Sequence, residues 1–326
     1  MGLGVGEQHV AAYLEHPACG LRWIYDIDPA AAACARAKLP SVRAATSFDE
    51  VLTDADVDVV SLASYDDAHF GQVVAALGAG KHVFVEKPLC RSLDELRETK
   101  AAWRRAGNRH LAVNLVLRGA PLYLWLRSAI AAGELGEIYA VDGDYLYGRL
   151  DKITGGWRAR VADYSVMQGG GVHLVDLMLW LTQQRPVAVT AAGNRISTGG
   201  TSFQYQDFMA ATFQFDSGLV GRVTANFGSV HPHQHVVRVF GTRATFISDD
   251  RGARLHTSRD PQSMSQSVDF APLPPSKGVL IPAFVESILG VDDGRAAAQQ
   301  EFDLISACLA ADRAAASGAL QRVEYV

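Results

Sequence analysis

The sequence predicts a doubly wound parallel α/β domain followed by a largely antiparallel α+β domain. Three observations carry this. From residue 1 to about 118, strand-like and helix-like segments alternate, as they do when helices cover both faces of a parallel sheet. After Arg118 the pattern changes, and the later segments follow one another as strands. A short apolar run, Lys81-His82-Val83-Phe84-Val85, ends at Glu86-Lys87-Pro88, which places a lysine at the carboxyl end of a sheet strand. In open α/β sheets that edge is where ligands bind.

The elements follow in order. Leu21 to Asp26 reads as a strand and the alanine-rich Pro29 to Lys38 as a helix. Val57 to Ala63 is a strand, His69 to Leu77 a helix, Ser92 to Ala106 a helix and His110 to Leu117 a strand. Pro121 to Ala132 opens the second domain as a helix, and Ile138 to Val141 is a strand. The helix from Val172 to Leu181 follows Gly169-Gly170-Gly171 and is apolar nearly all round, so burial is expected. Asp207 to Phe215, Leu219 to Phe227 and Val236 to Phe240 are strands, the first two joined by a turn at Asp216-Ser217-Gly218. Residues 256–278, rich in Ser and Pro, read as an irregular loop. Ala296 to Ala316 is a long helix, and Arg322 to Val326 adds a last strand. The expected domains are 1–118 and 119–326.

At 326 residues, with 48% hydrophobic and 20% charged residues, the chain has ample material for two cores. A net charge of −5 argues against a nucleic-acid or anionic-membrane surface. Cys19, Cys34, Cys90 and Cys308 show no paired spacing, so free thiols in a reducing, cytoplasmic setting are expected. Neither a signal peptide nor an apolar run of membrane-spanning length is visible.

The N-terminus carries Gly2-Leu3-Gly4-Val5-Gly6, with a helix expected to open near Glu7. Glycines at such a turn let backbone approach a pyrophosphate, and the helix end supplies N–H donors. Asp26, at the end of the next strand, suits an adenosine ribose and would repel a 2′-phosphate, favouring NAD over NADP. The spacing is one residue shorter than G-x-G-x-x-G. The strand that should lead into the glycines is absent, because Met1 adjoins Gly2. Either translation starts upstream, or the molecule is truncated and its nucleotide site weakened.

In the second half, His173 and Asp176 lie three residues apart on one helix face. A buried pair of this kind is either a self-satisfied structural pair or an imidazole tuned by a carboxylate to act as a general base. Tyr145, Tyr147 and Trp157 offer rings for a sugar, with sheet packing the simpler role for each; Arg158 and Arg160 suit an anion or a solvated face. His231, His233 and His235 alternate, but Pro232 interrupts the strand and no Cys or acid lies nearby, so no metal site is expected.

The glycine turn, Glu86-Lys87-Pro88 and Gly169-Gly170-Gly171-Val172-His173-Leu174-Val175-Asp176 together resemble the glucose–fructose oxidoreductase / inositol dehydrogenase / rhizopine-catabolism (Gfo/Idh/MocA) family, over nearly the whole chain. Val59 to His69 is similar to the family's strand and loop ending in histidine, with Tyr65 where proline is usual. Gly133 to Ile138 resembles its domain junction, and Gly241-Thr242 its late strand turn. The resemblance implies a Rossmann-type first domain and oxidation or reduction of a carbinol carbon of a sugar, inositol or related polyol with NAD or NADP. It implies Lys87 and His173 as catalytic residues, and cofactor contacts from Gly2, Gly4, Gly6, Asp26, Ser64, His69, Glu86 and Asn114. Substrate contacts are expected from Asp176, Tyr147, Trp157 and Arg158, in a cleft between the domains. The family's usual aspartate four residues before the histidine is Gly169 here; Asp163 or Tyr164 is the candidate to fold back in its place. Three functions remain open: a sugar or polyol dehydrogenase, a hydrolase of the same fold that oxidises its sugar transiently, and a non-catalytic binding protein. A homodimer or homotetramer through an apolar open sheet face is also expected.

Overall fold

The computed structural model describes residues 1–290 and 294–326. They form two compact units: residues 1–116 with 274–302 and 326, and residues 117–273 with 303–325. The boundary lies two residues before the expected one, and the return of 274–302 to the first unit departs from the expected simple division. The reason is an amphipathic helix, α9 in chain order (Ile281–Leu289), absent from the sequence reading. Its Ile281, Phe284 and Val285 pack with Tyr13 and Phe84 of the first unit.

In the first unit, β1 (Trp23–Ile24) pairs in parallel with β2 (Arg43–Ala44), and β3 (Val59–Leu62), β4 (His82–Val85) and β5 (Leu111–Val113) form a second parallel sheet in sequence order. The helices are α1 (Leu3–Glu15), α2 (Pro29–Lys38), α3 (Phe48–Thr53), α4 (His69–Gly78) and α5 (Leu93–Arg105). Their starts follow capping chemistry. The side chains of Asp28, Ser47 and Ser92 accept from backbone N–H groups in the first turns of α2, α3 and α5.

Helix α1 corrects the sequence reading: it opens at Leu3, not near Glu7, so Gly4 and Gly6 are helical residues rather than turn residues. The Asp26 carboxylate accepts from the Leu3 N–H at 2.6 Å and fixes that start. Gly2 precedes the helix at φ +79, and a Cβ there would strike the backbone of Ala63 and Ser64. Met1 and Gly2 stand in line between the two sheets. The Met1 amino group donates to Ser61 O at 2.8 Å, Ala63 N–H donates to Met1 O at 2.7 Å, and Gly2 N–H donates to Tyr25 O at 3.0 Å. Among the described residues nothing else pairs with the facing edges of β1 and β3.

The second unit is built on a nine-stranded sheet. Its strands are β6 (Ile138–Leu146), β7 (Pro186–Asn194), β8 (Phe208–Phe215), β9 (Val220–Asn226), β10 (Gln234–Gly241), β11 (Thr245–Asp249), β12 (Gly252–His256), β13 (Gln266–Ser267) and β14 (Gln321–Arg322). The order is β13-β12-β11-β10-β6-β9-β8-β7-β14, antiparallel except where β6 lies parallel to β9. Helix α6 (Pro121–Ala131) leads into it, α7 (Leu150–Thr154) follows β6, and α8 (Val172–Thr182) packs on β6 and β9. Gly143 and Gly221 make room for Leu174 and Met178 of that helix. The long helix α10 (Arg295–Ser317) matches expectation; β7, β11 and β12 were missing from it.

The open sheet face is mixed: Val220 is exposed on it and Phe240 and Ile247 are half-buried, beside polar and charged residues. Met209, Ala211, Phe213, Val223 and Ala225 are buried, whereas their strand neighbours Gln214 and Arg222 are exposed. Across the strands, Arg222 pairs with Asp142 and Arg238 with Asp144, each at 2.9 Å, and Thr224 donates to Asp144 at 2.8 Å. Among the described residues no helix is long and apolar enough to cross a membrane.

Candidate functional site

In the first unit the candidate residues gather at the ends of β3, β4 and β5. Glu86 is buried, and its Oε1 accepts from Asn114 Nδ2 at 2.7 Å and contacts His9 Nε2 at 3.3 Å. The other His9 nitrogen meets Ser61 Oγ at 2.9 Å. Burial pushes the Glu86 carboxyl up, but the bonds from His9 and Asn114 and the nearby Lys87 outweigh it and hold the group below its ordinary value. Glu86 therefore stays ionised. His9 and Ser61 were not anticipated; His9 sits on α1 with no motif around it. The Lys87-Pro88 peptide is cis, and Lys87 is half-buried at the end of β4.

His69 is fully buried, its Nδ1 2.7 Å from Pro88 O and its Nε2 3.1 Å from Ser64 O. It ties the β3 loop to the β4 loop, a positioning task beside the expected cofactor contact. Ser64 Oγ donates to Gln72 at 2.6 Å.

The residues present fit a dinucleotide. The residue before α1 is Gly2, which has no side chain to cap it, Gly4 is exposed with open space where a Cβ would point, and the first-turn N–H groups beyond Leu3 form the positive end of the helix dipole. Each Asp26 oxygen accepts one backbone N–H, from Leu3 and from Asp28, which leaves acceptor capacity for ribose hydroxyls. The Asn114 Oδ1 is buried and has no protein partner among the described residues, so it is available to a donor.

In the second unit His173 is buried in a nest of rings. Its imidazole stacks near Tyr145 (6.3 Å between centroids) and meets His235 edge-on (5.8 Å). Tyr145 in turn contacts Tyr147, His233 and His235 at 6.0, 5.2 and 5.2 Å. Arg149 and Arg158 each lie 5.7 Å from the Tyr147 ring, and Arg158 sits 4.6 Å over Trp157. Tyr147, Trp157 and Arg158, singled out from sequence, are thus brought into one cluster with His173. Burial, and then His233, push the His235 imidazole down to about 3, so it is neutral near pH 7. His231 stands apart and pairs with Asp250 at 3.1 Å. Among the described residues no group of three or more His, Cys, Asp or Glu is placed to hold a metal ion.

Asp176 corrects its expected substrate contact. It is 1% exposed, and its carboxylate takes a two-point grip from Arg118, with Nε 3.0 Å from both oxygens. Burial raises its pKa, partly offset by Arg118. Arg118 escaped the sequence reading because 58 residues separate the partners.

The three glycines before α8 form a π-helical turn, Met167–Gly171, continuous with the helix rather than a loop before it. Rings lie directly on this backbone. A Cβ at Gly169 would run into the Tyr164 hydroxyl, and one at Gly170 into the Tyr145 ring. The buried Tyr164 accepts from Arg158 Nε at 3.1 Å. Beneath the turn, Asp312 accepts from Ser165 Oγ at 2.6 Å and Gln168 Nε2 at 2.7 Å, and burial raises its carboxyl to about 6 despite those bonds.

Residues 1–115 match the oxidoreductase family with an NAD-binding Rossmann fold, and residues 123–247 match the GFO/IDH/MocA C-terminal domain. The chain is 28% identical over 297 residues to a 1,5-anhydro-D-fructose reductase of Ensifer adhaerens, covering 86% of this chain and 84% of that protein. It is 26% identical over 298 residues to an inositol 2-dehydrogenase of Acidothermus cellulolyticus, covering 90% and 83%. Its fold is that of a levoglucosan dehydrogenase in complex with NADH, at a TM-score of 0.86 and 20% identity over 100% of this chain and 98% of the other. Glycine turn, lysine-bearing strand end and buried histidine helix are therefore features of one lineage, and the chain belongs to the Gfo/Idh/MocA family of oxidoreductases, with an NAD-binding Rossmann domain.

Proposed function

We propose that the chain is a dehydrogenase that moves a hydride between NAD(H) and a secondary alcohol carbon of a sugar, inositol or related polyol. The observation that carries this reading is the ring nest around His173, lined by aromatic faces, imidazoles and guanidinium groups that suit a hydroxylated ring. When bound, NAD supplies the carbon that accepts the hydride. His173 takes the hydroxyl proton, and the Lys87 ammonium stabilises the oxygen as negative charge develops on it. Trp157 and Tyr147 offer faces to the sugar, and Arg158 holds a hydroxyl or an anionic substituent.

The test is a screen of sugars, inositols and anhydrosugars with NAD and with NADP. Net NADH formation is expected, with the higher kcat/KM for NAD because the Asp26 carboxylate repels a 2′-phosphate. Substrate cleavage without net NADH would instead identify a hydrolase, and binding without turnover a non-catalytic receptor.

Tyr164 is the group we assign to the space left by Gly169. Its hydroxyl lies over that residue, one helical turn before His173, and Arg158 polarises it. Tyr164→Phe keeps the ring and removes the hydroxyl. It is expected to lower kcat about tenfold, the worth of one charge-assisted hydrogen bond, and to move the pH profile of kcat. An unchanged pH profile would restrict Tyr164 to packing.

We assign self-association to the open sheet face, where the Asp142–Arg222 and Asp144–Arg238 pairs lie beside Val220, Phe240 and Ile247. A dimer should then dissociate as salt is raised, which light scattering at micromolar protein reads directly. A salt-insensitive mass would place any interface elsewhere.

A further inference from the structure

The turn that leads into the histidine helix has few side chains with which to hold its own shape. Gly169, Gly170 and Gly171 leave Gln168 as the last polar side chain before His173. The turn is wide: Val172 N–H reaches back five residues to Met167 O, as in a π-helix. Glycine adds backbone freedom, so the shape must be held from outside. A tyrosine ring rests on Gly169 and another on Gly170, with Met167 and Ala225 against Gly171, so a slide of this backbone is passed on to the side chains around His173.

The holding contact comes from α10. One oxygen of the Asp312 carboxylate accepts from Ser165 Oγ at 2.6 Å and the other from Gln168 Nε2 at 2.7 Å. Ser165 Oγ also accepts from the Gln168 N–H at 3.1 Å, in the manner of a helix cap, and Gly169 N–H donates to Ser165 O at 2.8 Å. The bonds close a ring that runs from the carboxylate through the serine hydroxyl, the Gln168 backbone and the Gln168 amide back to the carboxylate.

We propose that Asp312 is a positioning residue for His173: its carboxylate clamps Ser165 and Gln168 and so fixes the π-helical turn that aims the imidazole. The inference rests on the proton-accepting role proposed for His173. Asp312 acts through the turn and touches neither substrate nor cofactor.

The ionised form is the one that clamps. A carboxylate accepts both bonds, whereas the acid turns one oxygen into a donor and loses the Ser165 or the Gln168 bond. Burial raises the carboxyl to about 6, against the bonds from Ser165 and Gln168 and the attraction of Arg313. Two other ionisable groups lie around it. Cys308, on the same helix, has its thiol pushed up by burial and then by Asp312 and Asp176, so it is neutral. Asp176, on α8, is gripped by Arg118. The clamp is therefore closed above about pH 6 and opens below it. Because the folded-state value lies above the ordinary one, ionising Asp312 costs stability as the pH rises through it. The charged clamp thus holds the shape of the turn rather than adding to stability.

The experiment follows the Gly169 amide by NMR in the whole chain. Gln168-Gly169 is its single Gln-Gly step, so carbonyl-labelled glutamine with nitrogen-labelled glycine picks that amide out. Its resonance is expected to move in a step centred near pH 6, and that step should vanish in Asp312→Asn. Asparagine keeps the size but accepts only one of the two bonds. At neutral pH the variant should lose about tenfold in kcat with KM within about twofold, since the turn aims the base and does not bind substrate. The acid limb of its pH profile should move, while the melting temperature stays within about 3 °C of the parent. Gln168→Met removes the second donor and should give the same loss, and the double variant should lose no more than either single one. The His173 ring resonance, identified by its absence in His173→Gln, should shift in both single variants. A Gly169 amide that titrates alike in parent and Asp312→Asn would overturn the proposal. So would a His173 resonance unchanged by both variants, or losses of kcat that add in the double variant. The amide and ring readouts need no turnover, so they stand or fall separately from the proposed reaction.

Discussion

Alanine at His173 or at Lys87 is expected to lower kcat/KM at least about a hundredfold while the fold persists. A positioned proton-transfer group contributes about a hundredfold or more, and an ammonium aimed at a developing alkoxide a comparable amount. The two losses should differ in character. Lys87 is half-buried at a strand end, so truncating it removes charge with little packing. His173 is enclosed by Tyr145 and His235, so its truncation also opens a cavity and should lower the melting temperature by a few degrees. His173→Gln, which fills more of that space, separates chemistry from packing: turnover should stay low while the melting temperature recovers. Turnover near that of the unaltered protein in both alanine variants, measured with a substrate found in the screen, would remove the catalytic assignment.

The second large effect concerns Arg118. Arg118→Ala leaves the Asp176 carboxylate buried without its guanidinium, and breaking such a pair costs about 3–5 kcal/mol. The sign with pH follows from the direction of the shift. Burial already holds the Asp176 pKa above its unfolded value, so the folded state favours the protonated acid. Removing Arg118 raises it further. The variant's deficit should therefore be smallest at acidic pH and grow as the pH rises past the ordinary carboxylate range. Arg118→Met combined with Asp176→Leu should regain much of the loss, because an apolar pair needs no compensation. A single variant that melts within about 1 kcal/mol of the parent at neutral pH would show that water reaches Asp176 and that the pair is not structural.

What could be read from the residues was local or repetitive. The order of strands and helices in the first half rests on alternating strand-like and helix-like patterns, each contained within a short stretch of chain. Lys87 and His173 were legible because short motifs hold them: a proline fixes the end of β4, and a run of glycines marks the start of a buried helix. The side chains that complete each cluster were not legible. His9 reaches Glu86 across 77 residues and Arg118 reaches Asp176 across 58, and no periodicity links such positions. Helix α9 was missed because its apolar face makes sense only against Tyr13 and Phe84, which lie far earlier in the chain, in the first unit.

The sequence by itself determined the two fold classes, the lysine-bearing strand end and the histidine helix. Each depends on backbone preferences and burial patterns within a window of about ten residues. Only the tertiary structure decided that Asp26 starts α1, that Tyr164 covers Gly169, and that Arg118 holds Asp176. Those outcomes turn on which buried polar group finds a partner, and on where a ring can rest against backbone that lacks a Cβ. Both are properties of packing, where distance along the chain carries no weight.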